Sequence, residues 1–203
     1  MKTMKTLIIG GSGGIGQGLF EYFEDTTFVS SKTYDVLKPG SENFEEFDVV
    51  INLSGLIFES PLCNYNIITK RLVDINCIGA VNILADFLPG MKKRKFGRVI
   101  MFSSIYSSIN VRNMGIYSAS KAFVDKLVNI AALENAEYGV TVNSIQLGYT
   151  GLGMGDVKDK EKILSKVGMK RFVTMEEIYN TIQAIVNTEY LTGQNIRLDG
   201  GMR

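Results

Sequence analysis

Leu7-Ile8-Ile9-Gly10-Gly11-Ser12-Gly13-Gly14-Ile15-Gly16 is the stretch whose reading decides the fold. Three consecutive apolar residues, two of them β-branched, predict a short buried strand. Glycines follow at once, and a helix-like run begins at residue 14. Glycine permits a tight turn and lets the backbone come close to another group. The helix start presents free N–H groups and the positive end of the peptide dipoles, which together suit a pyrophosphate. A glycine-rich run alone describes a flexible linker equally well. The strand before it and the helix after it make the difference.

On both sides of this unit, short apolar, β-branched runs alternate with longer helical stretches. That is the pattern of a parallel sheet wrapped by helices. The spacing predicts strands over 6–9, 27–30, 48–52, 98–102, 141–146 and 195–198, and helices over 14–24, 66–88, 117–137, 158–167 and 175–186. Pro89-Gly90 is expected to end the second helix. Residues 30–48 leave room only for a truncated connection, so one helix of a doubly wound fold is expected to be missing there. Neither repeats nor a linker divide the chain, and 203 residues fit one domain with a substantial core.

Bulk properties narrow the function. The formal charge is +1, from 22 basic and 21 acidic residues, so no long-range field selects nucleic acid or membrane. Cys63 and Cys77 are expected to be reduced, packed thiols of a cytoplasmic protein. No apolar run is expected to reach the length of a membrane span. The chain has no histidine, which removes serine–histidine hydrolase chemistry and most transition-metal sites.

Chemistry concentrates in residues 95–121. A strand ends in Ser103-Ser104, and Tyr117-Ser118-Ala119-Ser120-Lys121 then opens a helix. Four residues apart, Tyr117 and Lys121 share a helical face. A free phenol, with a pKa of about 10, is a poor acid or base at neutral pH. A fixed ammonium beside it is expected to favour phenolate, and a serine hydroxyl from a strand end to hold the oxygen that exchanges the proton. Tyr-x-x-x-Lys is a weak pattern by itself. A second copy, Tyr34/Lys38, is followed by Pro39-Gly40 and reads as a turn without function. Beyond the second strand, where a ribose-binding acid is expected, stand Ser30-Ser31-Lys32. Hydroxyls and an ammonium suit a 2′-phosphate, hence NADP(H), while nearby Asp35 keeps NAD(H) open.

In combination and order, these segments resemble the short-chain dehydrogenase/reductase family, and 3-oxoacyl-carrier-protein reductases within it. Gly10-x-x-x-Gly14-Ile15-Gly16 resembles the family's cofactor loop, with Ser12 inside it, and Asn52-Leu53-Ser54-Gly55 its Asn-x-x-Gly segment. Tyr117 to Lys121 is similar to its catalytic motif, and the thirteen-residue interval selects Ser104 over Ser103. The resemblance implies a single-domain, Rossmann-type doubly wound α/β fold over 1–203, trimmed between strands 2 and 4. It implies Tyr117 as acid/base, Ser104 as alkoxide partner, Lys121 as ribose ligand, and Asn76 as the residue holding a water that links Lys121 to solvent. Cofactor contacts are expected from Gly10, Ser12, Gly14, Ile15, Gly16, Ser30, Ser31, Lys32, Asn52, Ser54, Gly55, Tyr117, Lys121, Gly148 and Thr150.

Two departures stand out. Leu147-Gly148 replaces the family's Pro-Gly, and Leu152 stands where a carboxamide-binding threonine is expected, leaving Thr150 as the substitute. The chain is also shorter than is usual for the family. Residues 149–172 are expected to form a substrate lid. The basic run Lys92-Lys93-Arg94-Lys95 reads most simply as a solvated loop and would also suit an acidic carrier protein. The expected substrate is a small carbonyl or alcohol, free or as a carrier-bound 3-oxoacyl thioester. Apolar residues on more than one face of helices 66–88 and 117–137 predict a homodimer or homotetramer. The rival reading is a sensor that binds NADP(H) without turnover.

Overall fold

The computed structural model describes residues 4–38, 40, 46–152 and 160–202. Six parallel strands form one sheet in the order β2-β1-β3-β4-β5-β6. They are β1 (Thr6–Ile9), β2 (Thr26–Val29), β3 (Val49–Asn52), β4 (Gly97–Ser104), β5 (Val140–Leu147) and β6 (Asn195–Leu198). Side chains alternate between the two faces of each strand, and both faces are covered. Leu7, Ile9, Val50, Val99, Met101, Val140 and Val142 pack on one side, and Ile8, Val49, Ile51, Ile100, Phe102 and Ile145 on the other. All residues of β1, β3, β4 and β5 are buried, which is why apolar side chains stand next to each other along them, as in Leu7-Ile8-Ile9, Val49-Val50-Ile51 and Val99-Ile100-Met101-Phe102.

Helices α2 (Ile67–Val73), α3 (Gly79–Arg94) and α4 (Gly115–Asn135) lie on the first side of the sheet. Helices α1 (Gly14–Leu19) and α6 (Met175–Asn187) lie on the other, and α5 (Lys160–Lys166) precedes α6. From β1 the chain goes to β2 on one flank and later to β3 on the other. The sheet therefore reverses direction beside β1, and the carboxyl ends of β1 and β3 frame the crevice where a doubly wound sheet binds its ligand.

Several sequence expectations need correction. The helix expected over 14–24 ends at Leu19 and continues as a 3₁₀ turn, Phe20–Tyr22. Pro89-Gly90 does not end the second helix, because α3 runs through Pro89 to Arg94 and stops at Lys95, whose φ is +56°. Proline forfeits one backbone bond, whereas Met91, two residues later, is fully buried and accepts a bond from Phe96 N through its carbonyl. The continuous helical run Ile67–Arg94 also reaches the length and apolarity of a membrane-crossing helix, contrary to expectation. Its inward residues Leu72, Ile83, Leu84, Phe87 and Met91 are packed inside this domain.

Between β2 and β3 the described residues hold turns and no helix. Tyr34 of the second Tyr-x-x-x-Lys copy is buried, and its hydroxyl donates to Asp86 Oδ2 at 2.7 Å. Burial and that carboxylate push its pKa up, so it is a core residue.

Candidate active site

The site is built where β4 ends against the start of α4. Ser104, the last residue of β4, caps the short 3₁₀ turn Ile105–Ser107, its Oγ accepting from Tyr106 N at 3.2 Å. Ser103 faces elsewhere, donating to the Lys121 carbonyl at 3.2 Å. Lys121, only 6% exposed, donates from Nζ to the Phe102 carbonyl at 2.9 Å. Strand and helix therefore clasp each other twice within one turn. The two adjacent serines divide the labour: Ser103 locks α4 in place, and Ser104 acts on the Tyr117 hydroxyl, pulling its pKa down.

The electrostatics differ from the sequence expectation. Lys121 was expected to lower the Tyr117 pKa, yet burial raises it, with the Ser104 hydrogen bond pulling in the opposite direction. Lys121 Nζ lies 5.9 Å from the Tyr117 ring centroid and is committed to Phe102. Burial lowers its own pKa to about 8, with Asp125 and Cys77 opposing the drop. Asp125 stands one turn further along α4, accepting from Ser144 Oγ at 2.7 Å and Gln146 Nε2 at 2.8 Å on β5.

Asn76 comes from the other side. The capping box Asn66/Thr69 starts α2, and a π turn, Asp74–Ile78, separates α2 from α3. This widened turn buries Asn76 and Cys77, a placement common for π turns at functional sites. Asn76 Oδ1 accepts from Leu56 N at 2.7 Å, and its Nδ2 donates to Leu56 O and Ser120 Oγ, both at 2.9 Å. Asn76 thereby ties the segment after β3 to the second turn of α4. A Cβ added at Gly55 would stand 3.3 Å from both Asn76 Oδ1 and Lys121 Nζ, so only a residue without a side chain leaves this corner open.

The residues expected to bind a cofactor lie along one edge, at the carboxyl ends of neighbouring strands. Parallel register aligns Ile9 with Val29 and Asn52, and Ser104 with Leu147. Gly10 and Gly11 donate to the Val29 carbonyl at 3.0 and 2.9 Å. Gly10 has φ +86°, and a Cβ there would meet Ser54 N at 2.9 Å. Asn52 Oδ1 accepts from Ser54 N and Ser54 Oγ, shaping the turn after β3. Thr150 is committed to its own loop, accepting from Leu152 N at 3.2 Å and donating to Leu152 O at 3.3 Å. Residues 153–159 of the expected lid lie outside the described residues.

A dinucleotide's phosphates fit the turn after β1. Helix α1 has Gly13 at its N-cap, with no side-chain cap and no acid in its first turn. The amides of Gly14, Ile15 and Gly16 have no intrahelical acceptor by geometry, so three donors are left for an anion.

Sequence reasoning missed Tyr106 and had Tyr149 only as the first residue of the expected lid. Their hydroxyls are hydrogen-bonded to each other. The Tyr106 ring stands edge-on to both Tyr117 and Tyr149, with centroids 6.0 and 6.2 Å apart. The available signal was position: Tyr106 follows Ser104 by two residues, and Tyr149 follows Gly148 directly.

A doubly wound parallel sheet with a glycine-rich first turn and a Ser–Tyr–Lys–Asn cluster at its carboxyl edge defines a dinucleotide-dependent class of protein. The family model described as enoyl-(acyl carrier protein) reductase matches residues 32–203. The chain belongs to the short-chain dehydrogenase/reductase family. It is similar to the 3-oxoacyl-[acyl-carrier-protein] reductase of Synechocystis, 29% identical over 171 residues covering 82% of this chain and 69% of the relative. The corresponding reductase of Buchnera aphidicola is 29% identical over 247 residues, spanning 100% of this chain and 99% of the relative. Among solved structures, a putative gluconate dehydrogenase from Agrobacterium tumefaciens superposes with a TM-score of 0.86 at 21% identity, covering 98% of this chain and 95% of that one. ElxO with NADP bound gives 0.85 at 20% identity, covering 98% of each chain. At these identities the structural likenesses show the fold alone.

Proposed function

We propose that the protein is an NADP(H)-dependent reductase of carbonyl compounds, run in reverse as an alcohol dehydrogenase. One observation carries the reading: β4, α4 and the π turn bring Ser104, Tyr117, Lys121 and Asn76 together beside a glycine turn whose amides await an anion. Bound nicotinamide supplies or accepts the hydride. Tyr117 gives its proton to the developing alkoxide, and Ser104 donates a hydrogen bond to the same oxygen. Two O–H donors converging on one point suit reduction of C=O, as in the 3-oxoacyl relatives, better than reduction of a C=C bond.

Lys121 supplies positive charge beneath Tyr117 and, once it leaves Phe102, a donor for ribose hydroxyls. Asn76 has both N–H groups in use, so it holds a water only through the second lone pair of Oδ1. Gly10, Ser12, Gly14, Ile15 and Gly16 would hold the pyrophosphate, and Asn52, Ser54 and Gly55 the adenosine side. Gly148 and Thr150 would flank the nicotinamide. Ser30, Ser31 and Lys32 favour the 2′-phosphate of NADP(H), and solved neighbours of the same fold are described with NADP or with NAD bound.

The substrate is a small carbonyl or a 3-oxoacyl thioester, closed over by a lid near 149–172 within the single domain 1–203. Lys92, Lys93, Arg94 and Lys95 do not help a carrier protein reach this site. They end α3 at the amino edge of β4, and eight strand residues rising about 3.3 Å each separate them from Ser104. Exposed Ile67, Ile78 and Val81 on the α2–α3 run, with Phe123, Ile130 and Leu133 on α4, support a homodimer or homotetramer. Cys77 is buried as expected, whereas Cys63 is exposed and not packed; both are free thiols, in accord with a cytoplasmic setting.

The deciding experiment follows NADPH absorbance with a panel of diketones and 3-oxoacyl thioesters. Oxidation that Tyr117→Phe abolishes is the expected result. Tight NADPH binding with no turnover on any substrate would establish the sensor instead.

A further inference from the structure

We propose that Tyr106 and Tyr149 act as a paired specificity clamp selecting carbonyl compounds that carry a second oxygen one or two carbons from the reacting carbonyl. The inference rests on the reductase reading of the same site and names its substrate class: hydroxyketones, diketones and 3-oxoesters rather than simple ketones.

The two tyrosines come from different elements. Tyr106 belongs to the 3₁₀ turn that Ser104 caps, and its amide is the group bonded to Ser104 Oγ. Tyr149 follows Gly148 at the end of β5, and its carbonyl accepts from Val173 N at 3.3 Å, tying it to the residue just past the expected lid. Their hydroxyl–hydroxyl bond bridges the carboxyl ends of β4 and β5 beside Tyr117.

Two phenols bring two O–H donors, and their mutual bond uses only one. The other has no acceptor among the described residues. Both side chains are partly buried, so an apolar substituent placed against them would strip water from that donor and offer nothing in return. A substrate oxygen beyond the reacting carbonyl accepts the spare hydrogen bond and orients the molecule. A site built around such a donor rejects analogues lacking the acceptor far better than an apolar pocket rejects an extra methylene. The T-shaped stacking of Tyr106 on Tyr117 places this pair next to the proposed acid.

The test compares wild type, Tyr106→Phe and Tyr149→Phe on ethyl acetoacetate and on pentan-2-one, which has no second oxygen. One readout is kcat/KM with NADPH, and another is the Kd of each compound in the presence of NADP by ligand-detected NMR. Phenylalanine keeps the ring contacts, and a melting curve checks that each variant folds. The expected result is a wild-type preference for the ester that falls about three- to tenfold, in both readouts, in whichever variant removes the phenol that carries the spare donor, as the loss of one hydrogen bond predicts. Unchanged ratios in folded, active variants would overturn the clamp and leave the reductase reading intact. A Kd ratio that shifts in a protein that oxidises NADPH with no carbonyl would sink the reductase reading and leave the binding preference standing.

Discussion

The two flanks of the sheet are built differently. On the β4–β5 flank, eight-residue strands are buried along their whole length, and side chains do the work. Lys121, Ser103, Asp125, Ser144 and Gln146 are each engaged in hydrogen bonds that fix α4 on the strands, and Asn76 ties α4 to the segment after β3. On the β1–β2 flank the strands have four residues, β2 is a partly exposed edge, and the shaping groups are backbone amides and glycines. A proton must be delivered to one atom, and that needs locked rotamers. A pyrophosphate is held by diffuse dipoles, so a turn of the right curvature suffices. Substitutions on the first flank should therefore change rate, and those on the second affinity.

The largest expected effect lies at Tyr117. Tyr117→Phe keeps the ring against Tyr106 and removes the proton, so kcat should fall by about 10²–10⁴-fold, the worth of general acid catalysis. NADPH affinity should stay near wild type in a fluorescence titration. An equal fall in affinity would erase the distinction between the flanks.

Lys121 offers a test in pH. Its folded pKa of about 8 lies below the ordinary 10.5, because burial penalises the ammonium. Carbonyl reduction uses the charged form, so kcat/KM should be flat below pH 8 and fall towards tenfold per unit above it. Between pH 8 and 10.5 the unfolded chain binds more protons at this position than the folded one. This group's contribution to stability therefore rises with pH across that window, and its desolvation penalty is fully present below pH 8. Lys121→Met should accordingly abolish turnover yet melt no lower than wild type at pH 7 by calorimetry.

Legibility follows the same division. The glycine turn was readable because close backbone approach admits few residues: a Cβ at Gly16 would lie 2.6 Å from Gly11 Cα. β1 was readable because burial on both faces leaves an apolar run, and it has the bounds the spacing predicts; β6 has them too, although none of its residues is buried. Pro89 misled because propensity is local, while the buried Met91 that holds the last turn of α3 is a tertiary fact. Tyr117 and Lys121 were recognisable as a pair by spacing. The sign of their coupling was not, since desolvation depends on the whole fold. Tyr106 and Tyr149 are separated by forty-three residues, so their bond exists only once β4 and β5 are paired.

On the backbone-built flank, Gly16→Ala should lower stability by about 1–3 kcal/mol, as expected for overpacking against backbone that cannot yield. Gly13→Ala is the matched comparison, because its nearest neighbour, Gly10 O, stands at 3.4 Å. Urea unfolding should separate the two variants. Equal losses would mean that the turn responds to glycine content and not to close packing.

The smallest expected effect concerns the choice between the two dinucleotides. After β2, Ser30 N bonds Thr33 Oγ1 and Lys32 N bonds Ser30 Oγ, so a tight turn presents an exposed Lys32 for which the described residues provide no ion pair. Asp35, the candidate for a ribose hydroxyl, accepts from Leu37 N at 3.0 Å and pairs with Lys38 at 3.9 Å, so it is occupied within its own turn. A solvent-exposed charge pair contributes about 0.2–1 kcal/mol, so Lys32→Ala should weaken NADPH binding no more than about fivefold. NADH, lacking the 2′-phosphate, should bind as before. Raising salt to 1 M shrinks the Debye length to about 3 Å and should remove most of the difference between wild type and variant. A preference for NADPH that survives both the substitution and the salt would place its source in the hydroxyls of Ser30 and Ser31, which hydrogen-bond and do not depend on charge.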